Sequence, residues 1–383
     1  MRIRQGGLIK PKLNLLFYGS PGSGKTTQAL EIAKFKREDG TPFRVWVFDA
    51  ESGGTDEALE ELEEQGIDTR NVFVAYTQSL QEVESYVNKI AKKDTLYYLD
   101  DDGCDTDEMI VDAYGQPFVP DAVVVDGTSV LKLTTTQSLL QLSQKRNKIK
   151  ARNSGASAEE IYVATQNANL EIRDYSQLAY ASQRLVLSLM ALPVHVILTA
   201  REKDETISAK ENGQFVSTPT GRKIFDSFKG IDYNCKSIIR MFRNDEDQVC
   251  YSVEKDRTKT FEVGQVVVNP SLLAFEETLN KGAGRKEYSI RNDLDDAIQK
   301  DRKIFEKEVL GDLASDDAPS TTTEEKSAEE LYNEVCNIMR GLSKVEQDKK
   351  KSALASANLP STPAAMKKSD AATLQEILTV LKA

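Results

Sequence analysis

The fold of this chain is decided by residues 13–26, which read LNLLFYGSPGSGKT. A short apolar run ends at Gly19, and the residues from Gly19 to Thr26 fit the pattern G-x-x-x-x-G-K-[ST] in full. An apolar run that stops at a glycine is typical of a buried strand. The amphipathic sequence of residues 25–39 predicts a helix after the loop. The sequence therefore predicts a strand, a phosphate-binding loop and a helix.

This loop has the chemistry needed to hold the phosphates of a nucleotide. Its glycines let successive backbone N–H groups curve around phosphate oxygens. Lys25 is expected to reach the β- and γ-phosphates, and the Thr26 hydroxyl is expected to coordinate Mg²⁺. The predicted cofactors are therefore ATP and Mg²⁺. The predicted nucleotide-binding residues are Gly19, Ser20, Pro21, Gly22, Ser23, Gly24, Lys25, Thr26 and Thr27.

A second buried strand, AVVVDG, covers residues 122–127 and ends in Asp126. A carboxylate at that point is suited to hold Mg²⁺ through water, although a plain strand-end turn is the alternative. The base-reading motif N-K-x-D of GTPases is absent from the sequence, which favours ATP. No arginine-bearing lid of a small-molecule kinase stands out. Asp126 is therefore predicted as a metal-binding residue.

The stretch VWVFDAE, residues 45–51, is an apolar strand that runs into two carboxylates. Ligands of open parallel sheets bind beyond the carboxyl ends of the strands. Hydrolysis needs a group that orients or deprotonates the attacking water. Glu51 is the predicted catalytic residue for this role, and Asp49 is expected to support the turn.

The composition is that of a globular chain, with 383 residues, 39% apolar, 29% charged and a net charge of −11. No apolar run approaches the length of a membrane span, and no signal segment is visible, so a cytoplasmic location is expected. The scattered cysteines show no C-x-x-C pair and are expected to be reduced. The single histidine, His195, lies in an apolar strand and is predicted to be a core residue, which excludes Ser-His and multi-His metal chemistry.

Helical and strand patterns alternate over the first two hundred residues, and three further strand patterns follow. They predict an α/β fold with a mainly parallel central sheet and an antiparallel extension. Residues 95–119 are predicted as an inserted β-hairpin, whose acidic cluster at 100–107 lacks calcium-loop spacing and is expected to be a solvated tip. A long helical region is predicted from Thr136 to about Leu192. Residues 202–223 are polar and aperiodic and are predicted as a mobile loop.

The character of the sequence changes near residue 288. The predicted organisation is a core at 1–287, a charged helix and acidic linker at 288–327, and a small helical module at 328–383. The linker is poor in apolar residues and rich in Ser, Thr and acids. Two helical patterns, at 328–344 and 369–383, form the terminal module, which suits a tethered interaction with a protein partner.

Taken together, the motifs resemble the RecA superfamily of P-loop ATPases over roughly residues 10–270. Its recombinases have a strand ending in Asp-Ala-Glu between the P-loop and the metal-binding aspartate strand. This sequence has VFDAES and VVVDGTS at those positions. The resemblance implies a RecA-like core, ATP hydrolysis and Glu51 as the catalytic glutamate. The layout is most similar to the compact phage RecA-like ATPases of single-strand annealing and recombination, which implies the host cytoplasm.

The resemblance extends to two basic residues on a late strand. Lys255 and Arg257 fall two apart in VEKDRTKTFEVG, residues 253–264, and alternation places them on one face. RecA-like proteins place basic fingers there that reach the γ-phosphate of the neighbouring subunit. The resemblance therefore implies a homo-oligomer with ATP sites between subunits and assigns both residues to catalysis. A solvated strand edge guarded by charge is the alternative.

Two basic segments stand where the family places its DNA loops. The first candidate set is Lys145, Arg146, Lys148, Lys150 and Arg152, and its alternative is a solvated helix face. The second lies in the polar loop, where Lys203, Lys210, Arg222 and Lys223 would meet phosphate and Phe215 would stack on a base. A disordered surface loop is the alternative there. The predicted partner is single-stranded DNA.

Two departures from the family pattern affect the functional prediction. The strand before the polar loop ends in Thr199-Ala200-Arg201, where a polar sensor, often Gln, is usual. About a dozen residues precede the first strand, so an N-terminal polymerisation arm is not expected. A ring and a filament are both alternatives for the oligomer. The sequence predicts a DNA-stimulated ATPase in recombination, annealing or replication. A nucleotide switch or assembly ATPase without DNA, and a helicase or helicase loader, are the alternatives.

Overall fold

The computed structural model describes residues 10–100, 103–211, 214–280, 285, 294, 297–302, 328–340, 342, 344–357, 359–366 and 369–382. The described residues fall into two compact units. One lies within 1–87 and 120–291, and the other lies within 88–119 and 292–383.

The first unit is built on a mixed, mainly parallel sheet. Its strands are β1 (Asn14–Gly19), β2 (Val45–Asp49), β3 (Val72–Tyr76), β6 (Ala122–Asp126), β7 (His195–Glu211), β8 (Gln214–Asp226), β9 (Ser237–Arg243), β10 (Val249–Asp256) and β11 (Val266–Val268). Their order is β11-β10-β9-β1-β7-β6-β2-β3, with β8 paired to β7. The strands from β9 to β3 in this order are parallel, whereas β10, β11 and β8 are antiparallel to their neighbours. This sheet and the C-terminal helices confirm the predicted fold class.

The central strands form because they are apolar on both faces. β1, β2 and β6 are buried along their whole length, as expected of parallel strands covered on both sides. Phe17, Val47, Val124 and Ile197 lie together in the core. In register, Gly19 lies opposite Arg201, and Asp49 lies opposite Asp126. The carboxyl ends of four strands therefore bring glycine, arginine and two carboxylates to one edge of the sheet.

The helices of the first unit are α1 (Lys25–Leu30), α2 (Thr55–Glu64), α3 (Leu80–Lys92), α4 (Thr128–Asn153), α5 (Ala158–Gln166), α6 (Ile172–Ala191), α7 (Ile231–Asn234) and α8 (Glu276–Asn280). α3 continues into the second unit. The helix predicted over 25–39 is wrong beyond Lys34, where a short 3₁₀ segment ends. Phe35 is extended, and Lys36 forms an isolated bridge with Pro42, because Phe35 and Phe43 pack into the core.

The helical region begins earlier than predicted and is divided into three helices. α4 starts at Thr128, directly after Gly127, which has a positive φ of 93°. Gly155, with φ of 75°, follows the end of α4. Ser157 then starts α5 with a capping box to Glu160. The interruption therefore has a local cause in a glycine and a strong N-cap.

The predicted mobile loop at 202–223 is wrong, because these residues form a long antiparallel ribbon. β7 and β8 pair from Arg201 and Asp226 out to Glu211 and Gln214. The segment has only a few strand-favouring residues, among them Thr206, Ile207 and Val216, and its sequence is mostly polar, so no apolar stripe marks it as strand. Pro219 is tolerated beside the irregular register between Asp204 and Thr206.

The second unit combines the inserted hairpin with the C-terminal helices. The hairpin, β4 (Tyr97–Leu99) and β5 (Asp105–Met109), is antiparallel as predicted. The helices are α9 (Ala328–Arg340), α10 (Lys344–Ser356), α11 (Pro363–Met366) and α12 (Ala371–Lys382). The sequence indicated only two of them, because α10 buries Gln347 and Leu354 in an otherwise charged sequence and shows no apolar stripe. Leu331, Val335 and Ile377 lie in the core of this unit.

The acidic segment of the hairpin is not wholly solvated, and the prediction is wrong for Asp105. Its carboxylate accepts hydrogen bonds from Lys89 Nζ at 2.7 and 2.9 Å. Gln347 Nε2 donates to the same carboxylate at 3.0 Å. All three side chains are almost completely buried. Asp105 therefore joins the hairpin to α3 and α10.

Several smaller expectations also have outcomes. His195 is a buried core residue as predicted. Its Nδ1 accepts a hydrogen bond from the Leu13 N–H at 3.0 Å, and burial lowers its pKa to about 3. No disulfide bond joins the four cysteines, all of which are described. Of the predicted charged helix and linker, only 294 and 297–302 are described, and they are helical; the linker lies outside the described residues. Among the described helices, none has the length and apolar character needed to cross a bilayer.

Candidate nucleotide-binding site

The glycine-rich loop is shaped by close contacts with β9 and by bonds within itself. A Cβ atom on Gly19 would lie 2.0 Å from the carbonyl oxygen of Met241, so only glycine fits there. Gly24 precedes α1 with a φ of 83°, which favours glycine as well. Lys25 Nζ donates to the carbonyl oxygen of Ser20 at 2.8 Å, and Arg243 Nε donates to that of Gly22 at 2.9 Å. The loop is thus preformed, with the Lys25 ammonium group folded over it.

Lys25 lies among charged groups at the carboxyl edge of the sheet. Burial lowers its pKa, while the carboxylates of Glu51, Asp126 and Glu202 oppose this effect. The nearby cation of Arg201 lowers the pKa further. Lys25 therefore lies in a cluster of mixed charge, with one further cation, Arg201, and three carboxylates.

Asp126 is a buried carboxylate that is held by hydroxyl groups. Its Oδ2 accepts a hydrogen bond from Thr26 Oγ1 at 2.9 Å, and its Oδ1 accepts one from Thr199 Oγ1. Burial raises its pKa; the two hydroxyl bonds oppose the rise, and the carboxylates of Glu51 and Asp49 add to it. Neutral donors compensate a buried negative charge poorly. Asp126 and Thr26 thus offer hard oxygen ligands at a site short of positive charge, which fits Mg²⁺.

Asp49 shapes the turn that carries Glu51. Its Oδ1 accepts hydrogen bonds from the backbone N–H groups of Glu51 at 2.9 Å and Ser52 at 2.8 Å. Its Oδ2 is buried and has no hydrogen-bond partner among the described residues. Because Asp49 lies opposite Asp126 in the sheet register, this oxygen lies beside the candidate metal ligands. A metal-bound water there would satisfy it, which strengthens the fit for Mg²⁺.

Glu51 packs tightly against the turn after β6. A Cβ atom on Gly127 would lie 2.5 Å from Glu51 Cγ, so a glycine is required beside it. The Glu51 carboxylate accepts a hydrogen bond from Arg201 Nε at 2.9 Å. The structure thus brings Lys25, Thr26, Asp126 and Glu51 together at one edge. Sequence analysis noted Thr199 and Arg201 only at a strand end that lacks the usual glutamine, and it predicted no role for either. Both lie at the end of an apolar run, as Glu51 and Asp126 do.

Lys255 and Arg257 lie at the opposite edge of the sheet from this chain's own loop. β10 runs antiparallel to β9, so its last residue, Asp256, pairs with Ser237 at the start of β9. The register shifts between Val253 and Lys255, and β10 ends at Asp256, so the placement of both side chains on one face stays a prediction. Lys255 Nζ donates to the carbonyl oxygens of Asp232 and Tyr233.

The basic run in α4 divides into two faces. Arg146 forms a bidentate pair with the buried carboxylate of Asp174 at 2.6 and 2.8 Å, and Lys150 lies 3.8 Å from Glu171. The exposed face has i, i+3, i+7 spacing and consists of Lys145, Lys148 and Arg152. It begins 17 residues after Thr128, or about 26 Å along the helix. These exposed cations are therefore distant from the glycine-rich loop.

The basic residues at the base of the ribbon are paired with acids. Lys203 lies 3.0 Å from Asp226, and Lys223 lies 2.7 Å from Asp204. Arg222 lies 4.0 Å from Glu254. Lys210 and Phe215 lie opposite each other near the tip of the ribbon, and only their backbones are described. The ribbon also exposes two apolar side chains, Ile207 and Val216.

No protein-family model and no curated protein sequence matches this chain. Among solved structures, it is similar to a KaiC-like protein, PH0186, from the hyperthermophilic archaeon Pyrococcus horikoshii OT3. The identity is 14%, the TM-score is 0.33, and the match covers 67% of this chain and 89% of the other. With so low a score this likeness adds no argument. The strand order of the sheet and its mainly parallel pairing define the fold.

Proposed function

We propose that this protein binds ATP and hydrolyses it with Mg²⁺ at the carboxyl edge of the sheet. The observation that supports the proposal most strongly is the convergence of Lys25, Thr26, Asp126 and Glu51 at one point from three separate parts of the chain. The backbone of the loop and Lys25 bind the phosphates. Thr26 and Asp126 hold the metal ion, which supplies charge neutralisation for the β- and γ-phosphates when bound.

Glu51 acts as the group that orients and deprotonates the attacking water in this proposal. Its carboxylate lies on a turn fixed by Asp49 and Gly127, beside both the Lys25 ammonium group and the Asp126 carboxylate. The position fits the role because a general base must lie within reach of the water that attacks in line with the departing phosphate.

Assembly into a homo-oligomer with ATP sites between subunits is part of the same proposal. Lys255 and Arg257 lie at the sheet edge opposite to the chain's own loop, so a phosphate contact by either residue requires a second subunit. In this assembly the two residues act as basic fingers. A finger variant, Arg257→Ala, mixed with subunits that carry Glu51→Gln should regain part of its turnover, and no recovery at any ratio would argue against sites shared between subunits.

Single-stranded DNA is the proposed polymer partner, in recombination, annealing or replication. The exposed face of α4 presents Lys145, Lys148 and Arg152 in a row, which suits successive phosphates of a nucleic acid backbone. Lys210 and Phe215, near the ribbon tip, are the further candidates for phosphate and base contact. The ribbon continues directly from the strand that carries Thr199 and Arg201, so a DNA contact there would act close to the ATP site.

A nucleotide switch or assembly ATPase without DNA is the second candidate function. It is favoured by the ribbon itself, because the basic side chains at its base are paired with acids of the same chain. The exposed side chains of Ile207 and Val216 suit a protein surface better than a phosphate backbone. The terminal helices of the second unit are the proposed site for a protein partner.

The experiment measures release of phosphate from ATP, and binding of single-stranded DNA, at several salt concentrations. The test variant combines three changes on one helix face: Lys145→Ala, Lys148→Ala and Arg152→Ala. Loss of three phosphate contacts lowers the slope of log affinity against log salt by about 2. The matched control removes three surface cations elsewhere: Arg70→Ala, Lys92→Ala and Lys349→Ala.

Four outcomes separate the candidates. DNA binding that depends on the α4 face, together with faster ATP turnover, supports the first. ATP hydrolysis with neither DNA binding at low salt nor a change in rate supports the second. Directional unwinding of a forked duplex would instead indicate a helicase, whereas annealing of complementary strands without unwinding supports a role in recombination.

A further inference from the structure

Arg201 and Glu51 form an ion pair at the open side of the candidate site. Arg201 Nε lies 2.9 Å from Glu51 Oε1, although the residues are 150 positions apart in the chain. β6 lies between β7 and β2 in the sheet, so the Arg201 side chain crosses the end of β6 to reach Glu51. The two side chains are 55% and 30% exposed. An ion pair with this exposure contributes little to folding, so exchanging its partner costs the folded protein little.

The backbone of Arg201 is fixed beside the phosphate-binding loop, while its side chain extends toward solvent. Arg201 lies opposite Gly19 in the register of β1 and β7, next to the first residue of the loop. Its backbone N–H donates to Ser129 Oγ at 2.8 Å. Its charge also acts on Lys25, whose pKa it lowers. The guanidinium group is therefore within electrostatic reach of the position assigned to the terminal phosphate.

We propose that Arg201 recognises the γ-phosphate of a nucleoside triphosphate and releases Glu51 when it does so. This inference rests on the proposed function, since it requires that the site binds ATP and that Glu51 acts on water. While Arg201 holds its carboxylate, Glu51 is directed toward the guanidinium group. Once the guanidinium group pairs with phosphate, the carboxylate is free to accept a proton from the attacking water.

The exchange is favourable because a phosphate group competes well with one exposed carboxylate. A guanidinium group binds phosphate through two parallel charge-assisted N–H bonds, whereas a single bond, from Nε, joins Arg201 to Glu51. A nucleoside diphosphate has no γ-phosphate, so in its presence the ion pair with Glu51 persists. Arg201 thereby lets the site distinguish ATP from ADP. It releases Glu51 only when the bound nucleotide carries a γ-phosphate that can be hydrolysed.

Competition for one guanidinium group has a measurable consequence. Glu51 and the γ-phosphate each need Arg201, so a neutral side chain at position 51 should tighten binding of the triphosphate. That gain should disappear when Arg201 is removed, and neither change should affect the diphosphate. If Arg201 served only to hold Glu51 in place, its removal would change turnover without changing the preference for triphosphate.

The test measures equilibrium affinities for ADP and for a non-hydrolysable β,γ-imido triphosphate, both with Mg²⁺, on the full chain. Four proteins form the cycle: wild type, Glu51→Gln, Arg201→Ala and the double variant. Arg201→Ala should weaken triphosphate binding roughly 10-fold or more and leave ADP affinity within about twofold. Glu51→Gln should tighten triphosphate binding only where Arg201 is present.

The matched control is Arg173→Ala. Arg173 Nε lies 2.9 Å from Glu171 Oε2, and these side chains are 53% and 40% exposed, so an equivalent surface pair is broken on α6. This control should leave both affinities unchanged. Should Arg201→Ala fail to fold by circular dichroism, Arg201→Lys decides the question, with a selective loss of roughly threefold or more for the triphosphate expected.

Equal effects of Arg201→Ala on both nucleotides, or none on either, would overturn the role of Arg201 and leave the proposed function intact. Triphosphate binding that Glu51→Gln tightens equally with and without Arg201 would also overturn it. Wild-type protein that binds neither nucleotide would instead remove the proposed function. The two failures are therefore distinguishable by the wild-type ADP affinity alone.

Discussion

Asp126 and Asp174 are both almost completely shielded from solvent, but they are held by different kinds of groups. Asp174, in the helical layer formed by α4 and α6, is paired with the guanidinium group of Arg146, which lowers its pKa. Asp126, at the carboxyl edge of the sheet, is bonded to the hydroxyl groups of Thr26 and Thr199, and burial raises its pKa. The first carboxylate forms an ion pair within the fold, whereas the second accepts hydrogen bonds only from neutral hydroxyl groups among the described residues.

We expect this difference to separate a structural carboxylate from one that takes part in ligand binding more clearly than burial does. Removing one partner of a buried ion pair strongly destabilises the folded protein, because the other charge stays buried without compensation. A buried carboxylate with neutral partners lowers the stability of the protein without ligand. Buried groups with unfavourable charge of this kind are typical of sites that bind ligands. The same substitution, aspartate to asparagine, should therefore have opposite consequences at the two positions.

The largest effect is expected for Asp126→Asn on ATP turnover. The amide keeps the shape of the side chain but cannot offer the metal ion a charged oxygen, so turnover should fall about 100-fold or more. The melting temperature of the protein without nucleotide should rise by a few degrees, because the uncompensated buried charge is lost. Steady-state phosphate release and thermal unfolding measure the two effects. A lowered melting temperature with unchanged turnover would mean that Asp126 is structural.

Asp174→Asn should produce the reverse. It leaves the guanidinium group of Arg146 without its anion, so the melting temperature should fall by roughly 5 °C or more. Turnover per folded molecule should stay close to wild type, because Asp174 lies away from the sheet edge. The control is Asp68→Asn, which breaks an exposed pair with Arg70 and should shift melting by roughly 2 °C or less. Equal melting temperatures for Asp174→Asn and Asp68→Asn would show that the buried pair contributes no more stability than the exposed one.

The smallest effect is a difference in pH dependence between the two variants. The raised pKa of Asp126 means that the folded protein binds the carboxyl proton more tightly than the unfolded chain does. The protonated carboxyl group therefore contributes stability below its pKa in the unfolded chain, and this contribution is lost as pH rises through the pKa in the folded protein. The lowered pKa of Asp174 means that its contribution is present above the unfolded value and lost as pH falls. When melting temperatures are measured from neutral pH downward, the increase caused by Asp126→Asn should disappear at a higher pH than the decrease caused by Asp174→Asn. The deficit of Asp174→Asn should persist to lower pH. The opposite order would contradict both assignments.

The parts of the candidate site that short sequence patterns mark were predicted from the sequence. The glycine-rich loop, Asp126 and Glu51 each end or follow a buried apolar strand, and parallel strands bring their carboxyl ends together. The partners of Asp174 and Asp105 were not visible, because Arg146 is 28 residues away from Asp174 and Gln347 is 242 residues away from Asp105. No periodicity links such pairs, so a basic run containing Arg146 looked uniformly exposed.

The ribbon was missed for a different physical reason. Sequence patterns reveal strands mainly through an apolar face, and a ribbon without a core beneath it has no such face. Its Thr, Val and Ile residues indicated strand only weakly beside Pro219 and the polar residues around it. The shift of register before Lys255 was equally invisible, since a bulge depends on the partner strand.

The central claim is that the carboxyl edge of this sheet hydrolyses ATP, and Glu51→Gln tests it most directly. One preparation of wild type and one of the variant are compared for equilibrium ATP binding and for Mg²⁺-dependent phosphate release. We expect wild type to turn ATP over, and the variant to bind ATP at least as tightly while turnover falls about 100-fold or more. Wild-type turnover in Glu51→Gln, or no ATP binding by either protein, would contradict the account.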